Sequence, residues 1–200
     1  KLDPSTKIIA VVKAFAYGHG DIKICKELEK FNVSYFWVAD FEEAVRIRRN
    51  NISTPIIVAN PGYKNYNLFV KYDLEPLIFN FKSLEYFNQN KMINCHIKFN
   101  TGMNRFGFET IQKEKIINFL NQNKNINVKT ICSHLADSTN ESFTKNQMNN
   151  FDFICDYFIK NYHSKIERHL FNSKATINYE NKYELVRLGI GFFCVTNSKG

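Results

Sequence analysis

The stretch "IIAVVKAFAYGHG", residues 8–20, joins an apolar run to a lysine, a tyrosine and two glycines. The run from Ile8 to Val12 is continuously apolar, which is typical of a strand buried on both faces. Such strands occur in parallel sheets whose faces are covered by helices. We therefore predict a buried parallel strand over residues 7–13, with Lys13 at its carboxyl end.

Lys13 allows two interpretations. Strands often end on a solvated lysine, whereas a partly desolvated lysine has a lowered pKa and can form a Schiff base. Tyr17 and a flexible glycine turn follow it. The stretch alone favours the solvated lysine, so the rest of the chain has to decide.

The same pattern recurs along the chain. Seven further strand-like segments are found at residues 35–39, 56–59, 77–79, 95–99, 128–133, 167–171 and 184–188. Helical patterns lie between them at residues 21–31, 41–50, 63–72, 81–90, 110–123, 142–161 and, more weakly, 174–181. Alternating strands and helices predict a parallel sheet. Eight strands in 200 residues favour an α/β fold of the (β/α)8 TIM-barrel type over a doubly wound sheet.

We predict one domain over residues 1–200, because no low-complexity linker interrupts the alternation. The first residues, "KLDPSTK", lack an initiator methionine, an apolar signal segment and an Arg-rich presequence. About a dozen residues follow the last strand, which is too few for a full helix and connection. We therefore expect a barrel truncated at both ends and cut from a longer protein.

Composition narrows the class of protein. No apolar run has the length needed to cross a bilayer. The formal charge of +8 comes from scattered lysines mixed with acidic residues, which favours a solvated surface over nucleic-acid binding. The five cysteines have no metal-ligand spacing, so we expect small core residues, a cytoplasmic location and no metal site. They are Cys25, Cys95, Cys132, Cys155 and Cys194.

Polar side chains follow the ends of several predicted strands. In a barrel of this type, functional groups gather at the carboxyl ends of the strands, and phosphate is usually held after strands 7 and 8. The candidates at those positions are Lys13, Lys98, Arg105, His134, Asn172, Ser173 and Arg187. We expect them to converge on one rim.

The loops after the last two strands suggest a phosphate site. Ser173 supplies a hydroxyl, and the backbone amides around Gly189, Ile190 and Gly191 carry little side-chain bulk. Successive amides of this kind form nests that bind anions. Ordinary loop glycines are the alternative.

Arg187 lies in a buried-strand pattern, where an unpaired guanidinium is costly. It needs an acceptor, and a heteroaromatic ring nitrogen would serve. Arg105, in a loop flanked by glycines, could bind a carboxylate. A lysine, a phosphate site and an arginine between them predict a site for pyridoxal 5'-phosphate, which favours the Schiff-base interpretation of Lys13.

The sequence resembles the alanine racemase family. "VVKAFAYGHG" resembles that family's pyridoxal phosphate–lysine motif, and "IKFNTGMNRFGF", "SHLAD", "FNS" and "VRLGIG" follow in the family's order. The wording "KAFAYG", "ANPGY" and "YDLEPLIFNF" is most similar to the racemase half of Bacteroidetes-type bifunctional MurNAc-tripeptide–D-Ala-D-Ala ligase/alanine racemases. The resemblance covers almost the whole chain.

The resemblance implies pyridoxal phosphate-dependent racemisation of L-alanine to D-alanine for bacterial peptidoglycan, in a homodimer with a possible ligase domain fused upstream. It implies that Lys13 binds the cofactor and is the base acting on the D-enantiomer, that Arg105 contacts the substrate carboxylate, and that Lys98 is carbamylated and props Arg105. His134 would stack near the ring and hydrogen-bond to Arg187, which would face the pyridine nitrogen. The implied cofactor-binding residues are Lys13, Tyr17, His134, Asn172, Ser173, Arg187, Gly189 and Ile190.

The chain departs from the family's pattern at Asn100, where aspartate is usual, at Lys174, which replaces a small residue, and at Phe193–Cys194, where Tyr–Gly is expected. The family's C-terminal β-domain, which supplies a tyrosine base from the partner subunit, is absent from this sequence. The resemblance therefore implies inefficient racemisation by these residues alone. Two alternatives stay open: a racemase of serine or of a broader amino-acid set, and a non-catalytic pyridoxal phosphate-binding barrel.

Overall fold

A computed structural model describes residues 2–193 of the chain, and Cys194 lies outside them. Eight parallel strands close into a barrel, in which each strand pairs with the next one along the chain and the last pairs with the first. The strands are β1 Lys7–Val11, β2 Tyr35–Asp40, β3 Ile56–Asn60, β4 Leu74–Ile78, β5 Ile93–Lys98, β6 Ile126–Cys132, β7 Glu167–His169 and β8 Leu185–Leu188. This confirms the predicted (β/α)8 barrel and excludes a doubly wound sheet.

Helices cover the outside of the barrel. Their bounds are Asp21–Glu29, Phe41–Arg48, Tyr66–Lys71, Phe81–Phe87, Lys113–Gln122, Glu141–Asn161, Ser173–Asn178 and Ile190–Phe193. All but the last correspond to a predicted helical pattern, and a short 3-10 turn at Thr110–Gln112 precedes the fifth. Among residues 2–193, no helix combines the length and the apolar character that a membrane span requires.

Side-chain caps place several helices directly after the strands. Asp40 accepts a hydrogen bond from Glu43 N at 3.0 Å, and Asn80 accepts one from Ser83 N at 2.8 Å. Such caps satisfy amides that lack a partner in the first helical turn. The long helix Glu141–Asn161 is capped by Asn140, which accepts from Phe143 N at 3.1 Å.

The core has two unequal parts. The larger one fills the space between the barrel and its helices, and the cysteines Cys25, Cys95 and Cys155 are buried there as predicted, with Cys132 also buried. Inside the barrel, the smaller apolar cluster consists of Ile9, Tyr35, Ile57 and Leu185, with Trp37 packed against it. Much of the remaining interior is polar, which positions the site described below.

The chain leaves β1 in an unusual conformation. The strand ends at Val11 rather than at residue 13, because the Val12 amide makes the last bond to the neighbouring strand, at 2.9 Å to Trp37 O. The next four residues, Ala14 to Tyr17, then have φ between 52° and 55°. L-residues in this left-handed conformation cost about 1–2 kcal/mol each. Lys13 and Tyr17 therefore flank a strained left-handed turn instead of extending a strand.

Two sets of hydrogen bonds hold this left-handed turn. Within it, Ala16 N donates to Val12 O and Gly18 N donates to Ala14 O, each at 2.9 Å. From outside, the Glu43 carboxylate accepts from Ala14 N at 2.6 Å and from Ala39 N at 2.8 Å. Glu43 thus ties the turn to the end of β2.

Candidate active site

The carboxyl ends of the strands surround a cavity of about 640 Å³. The structure brings all ten residues expected at the site to its lining: Lys13, Tyr17, Lys98, Arg105, His134, Asn172, Ser173, Arg187, Gly189 and Ile190. A concave site that combines apolar walls with converging polar groups is the usual form of a small-molecule site.

Lys13 and Tyr17 enter the cavity from the left-handed turn. Lys13 is an exposed residue, and the partial desolvation expected of its amine stays a prediction. Tyr17 is 37% exposed, and burial raises the pKa of its hydroxyl. That hydroxyl lies against the backbone of Gly189, where an added Cβ would stand 2.6 Å from it.

Ser173 forms the centre of a cradle beside the Tyr17 hydroxyl. Its Oγ accepts hydrogen bonds from Gly189 N at 3.1 Å and Gly191 N at 3.2 Å. A Cβ at Gly191 would stand 3.0 Å from the same Oγ. Glycine at both positions lets the Tyr17 and Ser173 hydroxyls pack against this backbone.

Asn172 lines the cavity and also caps a helix. Its side-chain oxygen accepts from Ala175 N at 3.0 Å, at the start of the helix that begins at Ser173. Ile190 is 56% exposed and lines the same cavity.

Arg187 has more acceptors than the sequence suggested. Its guanidinium donates to the carbonyls of Ser133 at 2.6 Å, Leu170 at 2.9 Å and His169 at 3.2 Å. It also contacts Nδ1 of His134 at 3.2 Å and Nδ1 of His169. The expectation that a ligand must satisfy this arginine is thus wrong for Nη1 and Nη2. Nε, which makes no hydrogen bond within residues 2–193, is the nitrogen left for the cavity.

The electrostatics of the site are strongly positive. Burial and, next in size, the charge of Arg187 lower the pKa of His134 to about 3, so this imidazole is neutral. Because Arg187 can only donate, Nδ1 of His134 accepts and its proton is on Nε2. The expected contact between His134 and Arg187 is present.

Lys98 is 5% exposed, and within the described residues no acidic side chain pairs with it. Burial, with smaller contributions from Arg187 and Arg105, lowers the pKa of Lys98 to about 8. Its Nζ lies 3.7 Å from the centroid of the Phe106 ring, and the exposed Arg105 guanidinium lies 5.2 Å from the same ring. Phe106 is therefore shared by the two cations.

Several residues in and behind this lining were not predicted from the sequence. The Trp37 and His169 rings are nearly perpendicular, with their centroids 5.9 Å apart. The guanidinium carbon of Arg187 lies 5.6 Å from the centroid of the Trp37 ring. His96, two residues before Lys98 on β5, points to the same face. That spacing in "HIK" was the signal for a polar barrel interior. Among residues 2–193, no three His, Cys, Asp or Glu side chains come together as a metal site.

Comparison with known proteins identifies the family. Residues 1–197 match the family described as "Alanine racemase, N-terminal domain". The alanine racemase of Fusobacterium nucleatum is 34% identical over 202 aligned residues, which cover 96% of this chain and 55% of the relative. That of Treponema denticola is 33% identical, with 95% and 53% covered. The chain thus spans about half the length of these curated relatives.

The solved structure of alanine racemase from Clostridium difficile 630 superposes with a TM-score of 0.92 at 26% identity, covering 99% of this chain and 54% of that one. The match of fold extends over the whole barrel, and the family match includes every candidate residue of the cavity. The chain belongs to the alanine racemase N-terminal domain family.

Proposed function

We propose that the cavity binds pyridoxal 5'-phosphate and that the intact protein interconverts L- and D-alanine, providing D-alanine for peptidoglycan. The observation that carries this proposal is that Lys13, the Ser173 cradle and Arg187 line one cavity. The relatives from F. nucleatum and T. denticola are both described as alanine racemases, which supports alanine over serine.

The residues present fit the cofactor. A phosphate dianion needs donors, and the Tyr17 and Ser173 hydroxyls can provide them. The Gly189 and Gly191 amides donate to Ser173 Oγ, which leaves the hydroxyl proton of Ser173 for the phosphate. The Cβ atoms that glycine omits at 189 and 191 would stand 2.6 Å from Tyr17 Oη and 3.0 Å from Ser173 Oγ, so glycine lets both hydroxyls lie this close to the backbone.

Each side chain of the cavity then has a task. When bound, pyridoxal phosphate supplies an aldehyde for an amine and an electron-withdrawing ring that acidifies the proton on the α-carbon. Lys13 Nζ would attach the cofactor and move the α-proton of the D-enantiomer. Arg187 would donate from Nε to the cofactor and, being unable to accept, would disfavour protonation of the ring nitrogen. Neutral His134 would contact the cofactor, and Arg105 would bind the substrate carboxylate.

A racemisation assay of the intact protein with pyridoxal phosphate tests the proposal. We expect interconversion of D- and L-alanine, with serine converted more slowly. Cofactor binding without turnover of either amino acid would favour the non-catalytic barrel instead. The second base, the homodimer, a C-terminal β-domain, an upstream ligase domain, a cytoplasmic location and the absence of nucleic-acid binding stay predictions.

Ser173→Ala should weaken pyridoxal phosphate binding by about tenfold or more, because a hydrogen bond to a charged group is worth about 1.5–3 kcal/mol. Pyridoxal, which lacks the phosphate, should bind almost unchanged. Equilibrium titration of both compounds measures this difference, with the exposed Ser142→Ala as the matched control. Equal losses for the two compounds would show that Ser173 only supports the fold.

Lys98 should carry a carbamate that grows as pH rises. The step joins neutral Lys98 amine to carbon dioxide and releases a proton, so it needs the unprotonated amine. With a pKa of about 8, the unprotonated fraction rises through that pH. Carbon-13 NMR with labelled carbon dioxide, held at one dissolved concentration, should show the signal increase from about pH 6 to about pH 9.

Lys98→Met should remove that carbon-13 signal, whereas the exposed Lys124→Met should keep it. The resulting carbamate would give Arg105 the anionic partner that the described residues do not provide. A signal that persists in Lys98→Met would assign the carbamate to another amine.

A further inference from the structure

A chain of hydrogen bonds runs through the inside of the barrel behind Arg187. Its members stand on five consecutive strands, β4 to β8: Glu75, His96, Thr130, His169 and Arg187. The distances are 2.7 Å from His96 Nε2 to Glu75 Oε2, 2.8 Å from His96 Nδ1 to Thr130 Oγ1, and 2.9 Å from Thr130 Oγ1 to His169 Nε2. His169 Nδ1 contacts Arg187 Nη1. No member is more than 5% exposed.

The two ends of this chain fix the direction of its protons. Arginine can only donate, so His169 Nδ1 accepts and its proton is on Nε2. His169 then donates to Thr130, the threonine hydroxyl donates to His96 Nδ1, and His96 Nε2 donates to the Glu75 carboxylate, which can only accept. With one proton on each imidazole, this is the one assignment in which every contact has a donor and an acceptor.

The residues around this hydrogen-bond chain bury it and complete its hydrogen bonds. The Tyr35 ring packs edge-on against His96, with the centroids 5.3 Å apart. The second oxygen of Glu75 accepts from Asn94 Nδ2 at 3.3 Å. Burial lowers the pKa of His169 well below its usual range, and the charge of Arg187 acts in the same direction. Apolar side chains could fill this space at lower cost, so the polar residues call for another reason.

Arg187 is the one member that also lines the cavity. The chain and the backbone carbonyls occupy its Nη1 and Nη2, which leaves Nε toward the cavity. If the chain ran the other way, His169 Nδ1 would present a proton to the guanidinium and lose its hold on Nη1. Because Arg187 at one end and Glu75 at the other both fix this direction, Nη1 stays on His169 and Nε is the nitrogen left for the cavity.

We propose that Glu75, His96, Thr130 and His169 are positioning residues, which orient Arg187 Nε toward the ring of the bound cofactor through this one-way hydrogen-bond chain. The proposal rests on the proposed function for its ligand but not for its geometry. It predicts that a change at Glu75, remote from the cavity, alters the state of His96 and the binding of pyridoxal phosphate together.

Nitrogen-15 NMR of the histidine rings tests the chain in the intact protein before cofactor is added. In the wild type, we expect His96 and His169 to carry their proton on Nε2. Glu75→Gln ends the chain in an amide that can donate or accept, so the His96 ring should become a mixture of tautomers, while Arg187 keeps the proton of His169 on Nε2. Pyridoxal phosphate affinity should fall about two- to tenfold, the value of one hydrogen bond. Glu85→Gln, at an exposed position, is the matched control.

Thr130→Val and Thr130→Ser separate positioning from folding. The valine variant removes the hydroxyl, so it should shift the nitrogen-15 resonances of His96 Nδ1 and His169 Nε2 and lower the cofactor affinity, whereas the serine variant should restore both. Nδ1 protonation of His169, or a His96 imidazolium, in the wild type would overturn the proposal. Unchanged nitrogen-15 resonances and affinity in Glu75→Gln and Thr130→Val would overturn it as well. Absence of racemisation by a wild type with the expected tautomers would instead contradict the proposed function.

Discussion

Lys13→Ala should lower racemisation by about 10²- to 10⁴-fold or more, the usual contribution of a positioned acid–base group, and should also end covalent attachment of the cofactor. The reason is that one side chain supplies both the amine that attaches pyridoxal phosphate and the base that moves the α-proton. The measurement combines D- and L-alanine interconversion with borohydride reduction of the loaded protein. Reduction should attach the cofactor irreversibly to the peptide that contains Lys13.

The exposed helical Lys23→Ala serves as the control for Lys13 and should change neither result. Because the turn that holds Lys13 is formed by backbone contacts, the fold of Lys13→Ala should survive. Attachment of the cofactor to another lysine in the wild type would show the assignment to be wrong.

Arg187→Glu should slow racemisation by two orders of magnitude or more and raise pyruvate formation per turnover. Loss of a preorganised donor costs about 2.7–4 kcal/mol of transition-state stabilisation. A carboxylate can also accept a hydrogen bond from a protonated ring nitrogen, which Arg187 cannot. The ring would then be a stronger electron sink, and transamination would compete better with reprotonation of the α-carbon. Pyruvate and both alanine enantiomers are measured in the same assay.

The structure supplies a necessary control for Arg187→Glu. The substitution sets a carboxylate against the carbonyls of Ser133 and Leu170, which lose their donor. Breaking a buried charged network costs about 3–5 kcal/mol, so rates must be normalised to the folded fraction. Arg187→Met loses the same bonds without offering an acceptor. A rise in pyruvate for both variants would assign the effect to disorder of the cavity and not to the ring nitrogen.

The barrel was predictable because its signals are local. Apolar runs such as 35–39 and 56–59 alternate with amphipathic patterns. A strand buried on both faces can be predicted from such a continuous apolar run alone. The rim residues were predictable for a related reason, since chain position at a strand end gives spatial position in this architecture. Both the barrel and the placement of the rim residues were inferred from the order of the strands and helices, without any interatomic distance.

Other features depend on contacts across the barrel that no local pattern reports. Glu75, Thr130 and His169 look like ordinary strand residues in sequence, and their meaning comes from neighbours on adjacent strands. The acceptors of Arg187 are backbone carbonyls, which every sequence contains. The left-handed turn was missed because alanine and phenylalanine have no preference for positive φ.

That left-handed turn also decides when conformational entropy is lost. Ala14 to Tyr17 are locked by internal bonds and by Glu43 before any ligand arrives. The unfavourable free energy of their left-handed backbone therefore lowers the stability of the folded protein, and a ligand binds to a surface that is already ordered. With a flexible loop carrying Lys13 and Tyr17, the protein without ligand would be more stable, but it would bind its ligand more weakly because the loop would have to become ordered on binding. The left-handed conformation of four residues thus lowers folding stability and raises ligand affinity.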